Sequence, residues 1–441
     1  MFKKIYRLII RVIAHEEAKP FFTYPVFLFR VWLCRRRYAR NLSICRAKAA
    51  RGEKLRVIFL VSNCSKWKCQ GIYELMEKSD VYEPLMAITT CDDELYLSDE
   101  QLQSRIDNDV AYYERIGNRW ILACEVKTRK VCLLSQFKAD IVFMQVPWGL
   151  LKGQTVFSIS KYALVCYVPY GIDCTEVVGK GRRFNWHHLA YFHMLLWRYF
   201  AISESFADYL KMPHLAFERS GSVVGVGHPS LDPPKAMLRD ETLDGCVIYA
   251  PHFGFEWNGI RPIVLFSTFY WSGRYMLEYA KKHPEVRWVF KPHPLLKERV
   301  LINGFMNQSE VDAYYEAWEK VAVSCYDAGY KKLVHNSRAM ITDCGSFLFE
   351  YSAEDKPLIR LVPNNTNIRP ADPAREVFES FYTCHDLHDL EMALSEVVEN
   401  GKDPRREQRH GAVTRAGLLS MNAAENICLH INRCLQLPQQ G

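Results

Sequence analysis

The chain has 441 residues, 49% of them hydrophobic, with 24 Tyr, 24 Phe and 10 Trp; it is too long for one ordinary domain and too apolar for a disordered one, so two well-packed domains are expected. The net charge of +7 is unevenly spread: residues 1–56 hold 15 Lys and Arg against 3 Asp and Glu, which leaves 42 of the 57 basic and 47 of the 50 acidic residues in a slightly acidic body. That balance argues against nucleic acid as a partner, and 15 cysteines without paired spacing argue for thiols in a reducing compartment rather than a disulfide framework or a zinc site.

Residues 1–54 form a basic segment of their own. In Met1–Ala14, Phe2, Ile5, Ile9, Val12 and Ile13 share one helical face, while Lys3, Lys4, Arg7 and Arg11 fall largely on the other. Phe21–Leu33 is apolar but holds Pro25 and Arg30, and Arg35, Arg36 and Arg37 close it. Neither stretch reaches the roughly 20 apolar residues of a spanning helix. No small-residue cleavage site follows, as a signal peptide would require. The coincidence of apolar and basic faces favours an interfacial segment on an anionic membrane surface, with the protein cytoplasmic and peripheral on the inner face, over a basic helix packed on the protein's own body with solvated arginines.

From Leu55 the pattern becomes one of short apolar runs separated by helical stretches. Runs at 55–62, 82–89, 140–145, 163–168, 199–203 and 222–227 read as strands, with helices over 67–78 and 98–117. This is the signature of an α/β layer structure with a buried parallel sheet. The Pro- and Asp-rich stretch that follows contains an interdomain linker, 231–245, between a first domain over 55–230 and a second over 246–404. The alternation then restarts: strands at 246–251, 286–294, 339–343 and 357–362, and helices over 262–282 and 346–353. Residues 405–435 read as one more helical stretch, within a C-terminal segment 405–441 placed to cross back onto the first domain. There is no GxGxxG after the first strand and no GxxxxGK[ST], so neither a typical NAD site nor a P-loop is expected.

Three segments place polar groups at strand ends of the second domain, where open α/β sheets bind ligands. In MITDCGSFLFEYSAEDKPLI (340–359), a strand ends at Asp343 and a helix starts near Ser346. Such a helix start presents free N–H groups and a positive dipole to a pyrophosphate. Gly345 would admit close backbone approach, the Ser346 hydroxyl would donate to a phosphate oxygen, and Glu350 would accept from a ribose or polyol hydroxyl. Taken alone, this segment reads better as a plain strand-to-helix turn capped by Ser346. In FKPHP (290–294), Lys291 and His293 sit on a Pro-stiffened loop, where a histidine donates to phosphate or protonates a leaving oxygen if its pKa is near neutral. YAPHFGFE (249–256) brings His252 and Gly254 to the same rim.

This combination resembles the CDP-glycerol glycerophosphotransferase family, whose members build teichoic-acid-like and capsular polymers. The resemblance covers residues 140–365, is most specific at Thr342–Tyr351, and includes GHPSLD (227–232), similar to the family's G-x-P-x-x-D junction between domains. It implies two Rossmann-like domains facing across a cleft (the GT-B architecture) and a CDP-linked donor in the second domain. It further implies donor phosphates handled at His293 and Ser346, Asp343 supporting the turn, and a polymer or glycolipid acceptor. Neither a metal nor a tightly bound cofactor is expected. The first domain departs from the family: its HGT-like motif is replaced by VPYGID (168–173), which leaves Asp173 as the nearest candidate base. His187 and His188 follow, on what reads as an amphipathic helix. Gln145, Trp148 and Tyr170 are candidates for the acceptor wall. Two other readings stay open: a sugar-nucleotide-dependent glycosyltransferase of the same fold, and a non-catalytic membrane-bound partner in polymer assembly.

Overall fold

The computed structural model describes residues 19–437 except 95, 173, 180–181, 185–189, 212–221, 234–238, 260–264, 325–329 and 420–421. The amphipathic stretch Met1–Ala14, the candidate base Asp173, and His187 and His188 lie outside the described residues.

Two parallel sheets organise the chain. The first contains β1 (Leu55–Val61), β2 (Tyr82–Ile88), β3 (Trp120–Leu122), β4 (Ile141–Met144) and β5 (Leu164–Tyr167). Between β5 and the next strand of that sheet lie β6 (Thr175–Gly179) and β7 (Arg182–Phe184), which belong elsewhere; β8 (Arg198–Ala201) and β9 (Val223–Gly225) complete the first sheet. Its order is β3-β2-β1-β4-β5-β8-β9, all parallel. The second sheet is built from β10 (Cys246–Ala250), β11 (Trp288–Phe290), β12 (Ala322–Ser324), β13 (Ser337–Thr342) and β14 (Leu358–Leu361); after β15 (Ile368–Pro370), which leaves it, β16 (Tyr382–Cys384) closes it. Its order, β12-β11-β10-β13-β14-β16, is again all parallel. Each sheet reverses direction of growth once, between β1 and β4 and between β10 and β13, which is the switch point where doubly wound sheets bind ligands.

Burial follows from the apolar runs. β1 and β10 are almost wholly inaccessible, as strands covered on both faces must be. Three features tie the two units together. The helix Ala423–Leu435 places Ile427, Ile431 and Leu435 in the core of the first sheet. A smaller apolar cluster joins Ile172, Cys174, Ile202 and Phe206 to Leu348, Phe349 and Phe378 of the second unit. β15 pairs antiparallel with β6, and β6 with β7, so a three-stranded sheet takes strands from both units.

The basic segment differs from its expected form. Lys19–Ala50 is one helix, and Phe27, Val31, Cys34, Tyr38, Asn41 and Cys45 are buried on one face of it. Several of its polar side chains bond main-chain carbonyls of the first domain. Arg35 donates to Leu196 and Met194, Arg37 to Phe157, Tyr38 to Leu195, and Asn41 to Ser160 and Ala163. Half of the segment assigned to lipid is therefore a strut of the first domain. No helix among the described residues is long and apolar enough to cross a membrane.

Candidate functional site

The carboxyl edge of the second sheet is organised around Asp343, the first residue past β13. Its side chain is 3% exposed. One oxygen accepts from the His252 N–H at 2.5 Å, the other from the Thr268 N–H at 2.6 Å and the Thr268 hydroxyl at 2.9 Å. Burial pushes its pKa up to about 6, and the Thr268 and His252 N–H groups oppose that rise. The carboxylate thus pins the loop after β10 and the start of the Phe269–Lys282 helix to the end of β13. Thr342 adds a second tie, its hydroxyl donating to Ala250 O at 2.7 Å and accepting from Cys344 N–H. The contacts of Asp343 thus run to the neighbouring loops rather than to the turn that follows it.

That scaffold sets two imidazoles side by side, His252 after β10 and His293 after β11, with ring centroids 5.0 Å apart. Nδ1 of His252 accepts the Gly254 N–H at 3.0 Å and Nδ1 of His293 accepts the Leu295 N–H at 3.1 Å. With Nδ1 an acceptor in both, the single proton of each neutral ring sits on Nε2. Burial, and secondarily the neighbouring His293, holds the His252 pKa well below the ordinary range. Burial, with Lys291 adding to it, lowers that of His293 to about 4. Both are therefore neutral N–H donors at pH 7. Of the two roles open to His293, the lowered pKa favours hydrogen-bond donation over protonation of a leaving oxygen at this pH. Gly254 serves the site through its N–H, which fixes the His252 tautomer. Lys291 is half-buried on the same loop, its N–H donating to Tyr249 O.

The helix Gly345–Ser352 starts at this edge. Ser346 is exposed there, with its hydroxyl 3.2 Å from the Cys344 thiol. A Cβ at Gly345 would meet ring atoms of Phe266 at 2.8 Å, so the missing side chain makes room for Phe266. Phe266 also packs edge-on against His252, centroids 5.1 Å apart. Glu350 is buried on the same helix; it stands close to Lys331, whose ammonium is lowered by desolvation and raised by the Glu350 charge.

In the first domain, Gln145 and Trp148 line a cavity at the carboxyl edge of β1, β2 and β4. Trp148 meets Tyr170 edge to face, centroids 6.0 Å apart, and the Lys66 ammonium lies 5.9 Å from the Tyr170 ring centroid. The three candidates for the acceptor wall thus fall together, apart from the histidine pair. Sequence reasoning missed Thr268 and Phe266, which lie in a stretch without any motif, and His228. The last stood unremarked within GHPSLD: its Nε2 is 2.7 Å from Pro169 O and its Nδ1 2.7 Å from the Ser230 hydroxyl, so it locks the interdomain junction to the end of β5.

No family model matches the chain, and no curated protein sequence does. Solved structures match over most of its length. MnaA from S. aureus in complex with UDP has a TM-score of 0.52 at 14% identity, covering 88% of this chain and 98% of its own. UDP-GlcNAc 2-epimerase from Neisseria meningitidis bound to UDP-GlcNAc has a TM-score of 0.54 at 13% identity, covering 86% and 100%. A variant of the wall teichoic acid polymerase TagF has a TM-score of 0.53 at 12% identity, covering 87% and 89%. Identities this low speak to fold alone: two Rossmann-like domains facing across a cleft, the GT-B architecture.

Proposed function

We propose that this protein is a transferase that moves a glycerol-phosphate, or related polyol-phosphate, group from a CDP-linked donor to a hydroxyl of a cell-surface polymer or glycolipid acceptor. The observation that carries the reading is the pair of neutral imidazoles at the switch point of the second sheet, each with Nδ1 committed and Nε2–H free of it. Two N–H donors beside an exposed serine at a helix start suit a diphosphate. The motif likeness at Thr342–Tyr351 and the shared fold with TagF support the choice of donor class.

In this mechanism the acceptor oxygen attacks the phosphorus that carries the glycerol, a new O–P bond forms, and the bond from that phosphorus to the bridging oxygen breaks. CMP leaves with the bonding pair. The acceptor's proton passes to a base, for which Asp173 is the proposed residue. His252, His293 and Ser346 meet the charge that develops on the leaving phosphate; losing one such donor costs about 2–4 kcal/mol of transition-state stabilisation. Neither a metal nor a resident cofactor enters the proposal.

A second reading, a reaction on a UDP-sugar, draws on the fold shared with the UDP-GlcNAc 2-epimerase of N. meningitidis and with UDP-bound MnaA. Titration calorimetry with CDP-glycerol, CDP-ribitol, UDP-sugars and CMP separates the two without knowledge of the acceptor. Selective binding of a CDP-alcohol, weakened at least ten-fold in His293→Ala, is the expected result. Preference for a UDP-sugar would install the second reading, and no nucleotide binding at all would make the chain a non-catalytic partner.

A further inference from the structure

The first sheet has a switch point of its own, and what stands there is unlike its surroundings. Gln145, the first residue past β4, is 4% exposed, and among the described residues neither its amide oxygen nor its amide nitrogen has a hydrogen-bond partner. A primary amide brings two donors and an acceptor, and leaving them unmet in the interior is a cost that folded proteins rarely carry without a use for it. The same cavity supplies the contrast. Gln154 also lines it, yet its oxygen accepts from the Thr89 hydroxyl at 2.7 Å, and its nitrogen donates to Ala123 O and Cys132 O at 3.0 Å each.

The cavity measures about 20 Å³, and among the described residues no charged side chain lines it, so it admits a single hydroxyl or hydroxymethyl group. Ser62 and Trp148 stand on its wall, and Trp148 presents an aromatic surface of the kind that packs on the C–H face of a polyol or sugar. An anion entering here would meet no cation in the described lining, and a carboxylate or phosphate oxygen turned to the amide oxygen would have no proton to share. A hydroxyl both donates to the amide oxygen and accepts from its N–H.

We infer that Gln145 is the reading residue of a subsite for a neutral hydroxyl-bearing ligand, at the carboxyl edge of the first sheet. This rests on the reading of the first domain as the acceptor side, and it names the acceptor's entering group as an uncharged polyol or sugar hydroxyl. Gln145 is a specificity-determining residue in this account, distinct from the base.

The test uses the full chain, with diglycerol and methyl β-D-glucopyranoside as neutral probes and inorganic phosphate as the anionic one, followed by saturation-transfer NMR. The expected result is that at least one neutral probe binds wild type, binds about five-fold or more weakly to Gln145→Leu, and is not displaced by phosphate. The substitution removes an unmet polar group, so the Tm of Gln145→Leu should hold or rise by about 1–3 °C. That pairing of weaker binding with equal or greater stability is one that a purely structural amide would not give. The inference is overturned if neither neutral probe binds wild type, if both bind the variant equally well, if phosphate displaces them, or if the Tm falls by several degrees. Nucleotide affinity, measured on both proteins by calorimetry, keeps the two proposals apart. It should agree within two-fold between wild type and Gln145→Leu, and a matched loss in the variant overturns a separate hydroxyl subsite. Absence of nucleotide binding from wild type removes the transferase reading and leaves the probe result to stand by itself.

Discussion

Asp343 brings a carboxylate into the interior and uses it as a fastener. Three donors from two other segments converge on it, which is why a group whose burial raises its pKa to about 6 is retained. Asp343→Asn keeps the volume but turns one oxygen into an N–H₂ facing donors, and should lower stability by about 2–4 kcal/mol in urea unfolding. Thr268→Val removes only the hydroxyl bond and should cost about 1 kcal/mol. Equal effects of the two would show that the main-chain N–H bonds contribute nothing. The histidine pair predicts a pH dependence. Both folded pKa values lie below the ordinary 6.5, so the unfolded chain takes up protons first as the pH falls. Their contribution is full above pH 6.5 and is lost between 6.5 and about 4, the value for His293. Asp343, raised to about 6, acts with the opposite sign and recovers stability below that pH. His293→Asn, whose side-chain oxygen replaces Nδ1 as acceptor for Leu295, should therefore make the fall in Tm between pH 7 and 4.5 shallower. An unchanged slope would mean that His293 is not buried neutral.

At the scale of elements, the helix Lys19–Ala50 shows how one composition serves two surfaces. Its inner face is buried, and Arg35 and Arg37 are spent on carbonyls of the first domain. Its outer face exposes Val26, Phe29 and Trp32, the two rings stacked at 5.6 Å and Arg36 lying 4.7 Å over Trp32. Arg30 is exposed beside them. Aromatic and basic groups together suit the interface of an anionic bilayer, so Phe29→Ser with Trp32→Ser should reduce sedimentation with phosphatidylserine vesicles at unchanged Tm. Arg35→Ala should do the reverse, lowering stability by about 1–3 kcal/mol through carbonyls left unmet. If the double variant pellets as wild type does, this face is not the lipid contact. The two faces could not be separated in the sequence, because the apolar residues that pack inward and those left outside alternate within one helical turn. The central parallel strands were legible for the opposite reason: β1 and β10 are largely apolar runs, as burial on both faces demands. β3, β6, β7, β12, β15 and β16 were not read, since most are three residues long, too short to show a period, and are defined by partners remote in sequence. In the site, His252, His293 and Asp343 announced themselves at strand ends, whereas Phe266 and Thr268 matter only through what they touch. The last helical stretch was read as continuous to residue 435; Gly417, at φ +69°, ends its first part instead, with the Leu418 N–H returning to Val413 O in the manner of a Schellman stop.

For the whole molecule, the consequence of that stop is a chain that returns to where it began. The helix Ala423–Leu435 follows the last residues of the second unit, yet it packs on the helix Gln70–Glu77 and belongs to the first core. Asp232, at the interdomain junction, accepts from the N–H groups of Ala423 and Ala424 at 2.6 and 2.9 Å, so the junction caps the returning helix and compensates its dipole. The two helices approach closely because Gly71 has no side chain; a Cβ there would lie 3.0 Å from that of Ala424. The stability of the first unit is thus written partly in the last twentieth of the chain. Ile427→Ala with Ile431→Ala should cost about 4–8 kcal/mol if the two add, each opening a hole in a packed core. The loss should be felt by the first sheet rather than the second. Hydrogen–deuterium exchange is the measurement: amides of 55–61 and 70–77 should exchange faster in the double variant, while those of 337–342 change less. Gly71→Val should give the same pattern more mildly, by pushing the returning helix away instead of hollowing its contact. Uniform acceleration across both sheets would point elsewhere, to the shared cluster of Ile172, Cys174 and Phe206 with Phe349. In that case the two units unfold as one body, held by the packing they share.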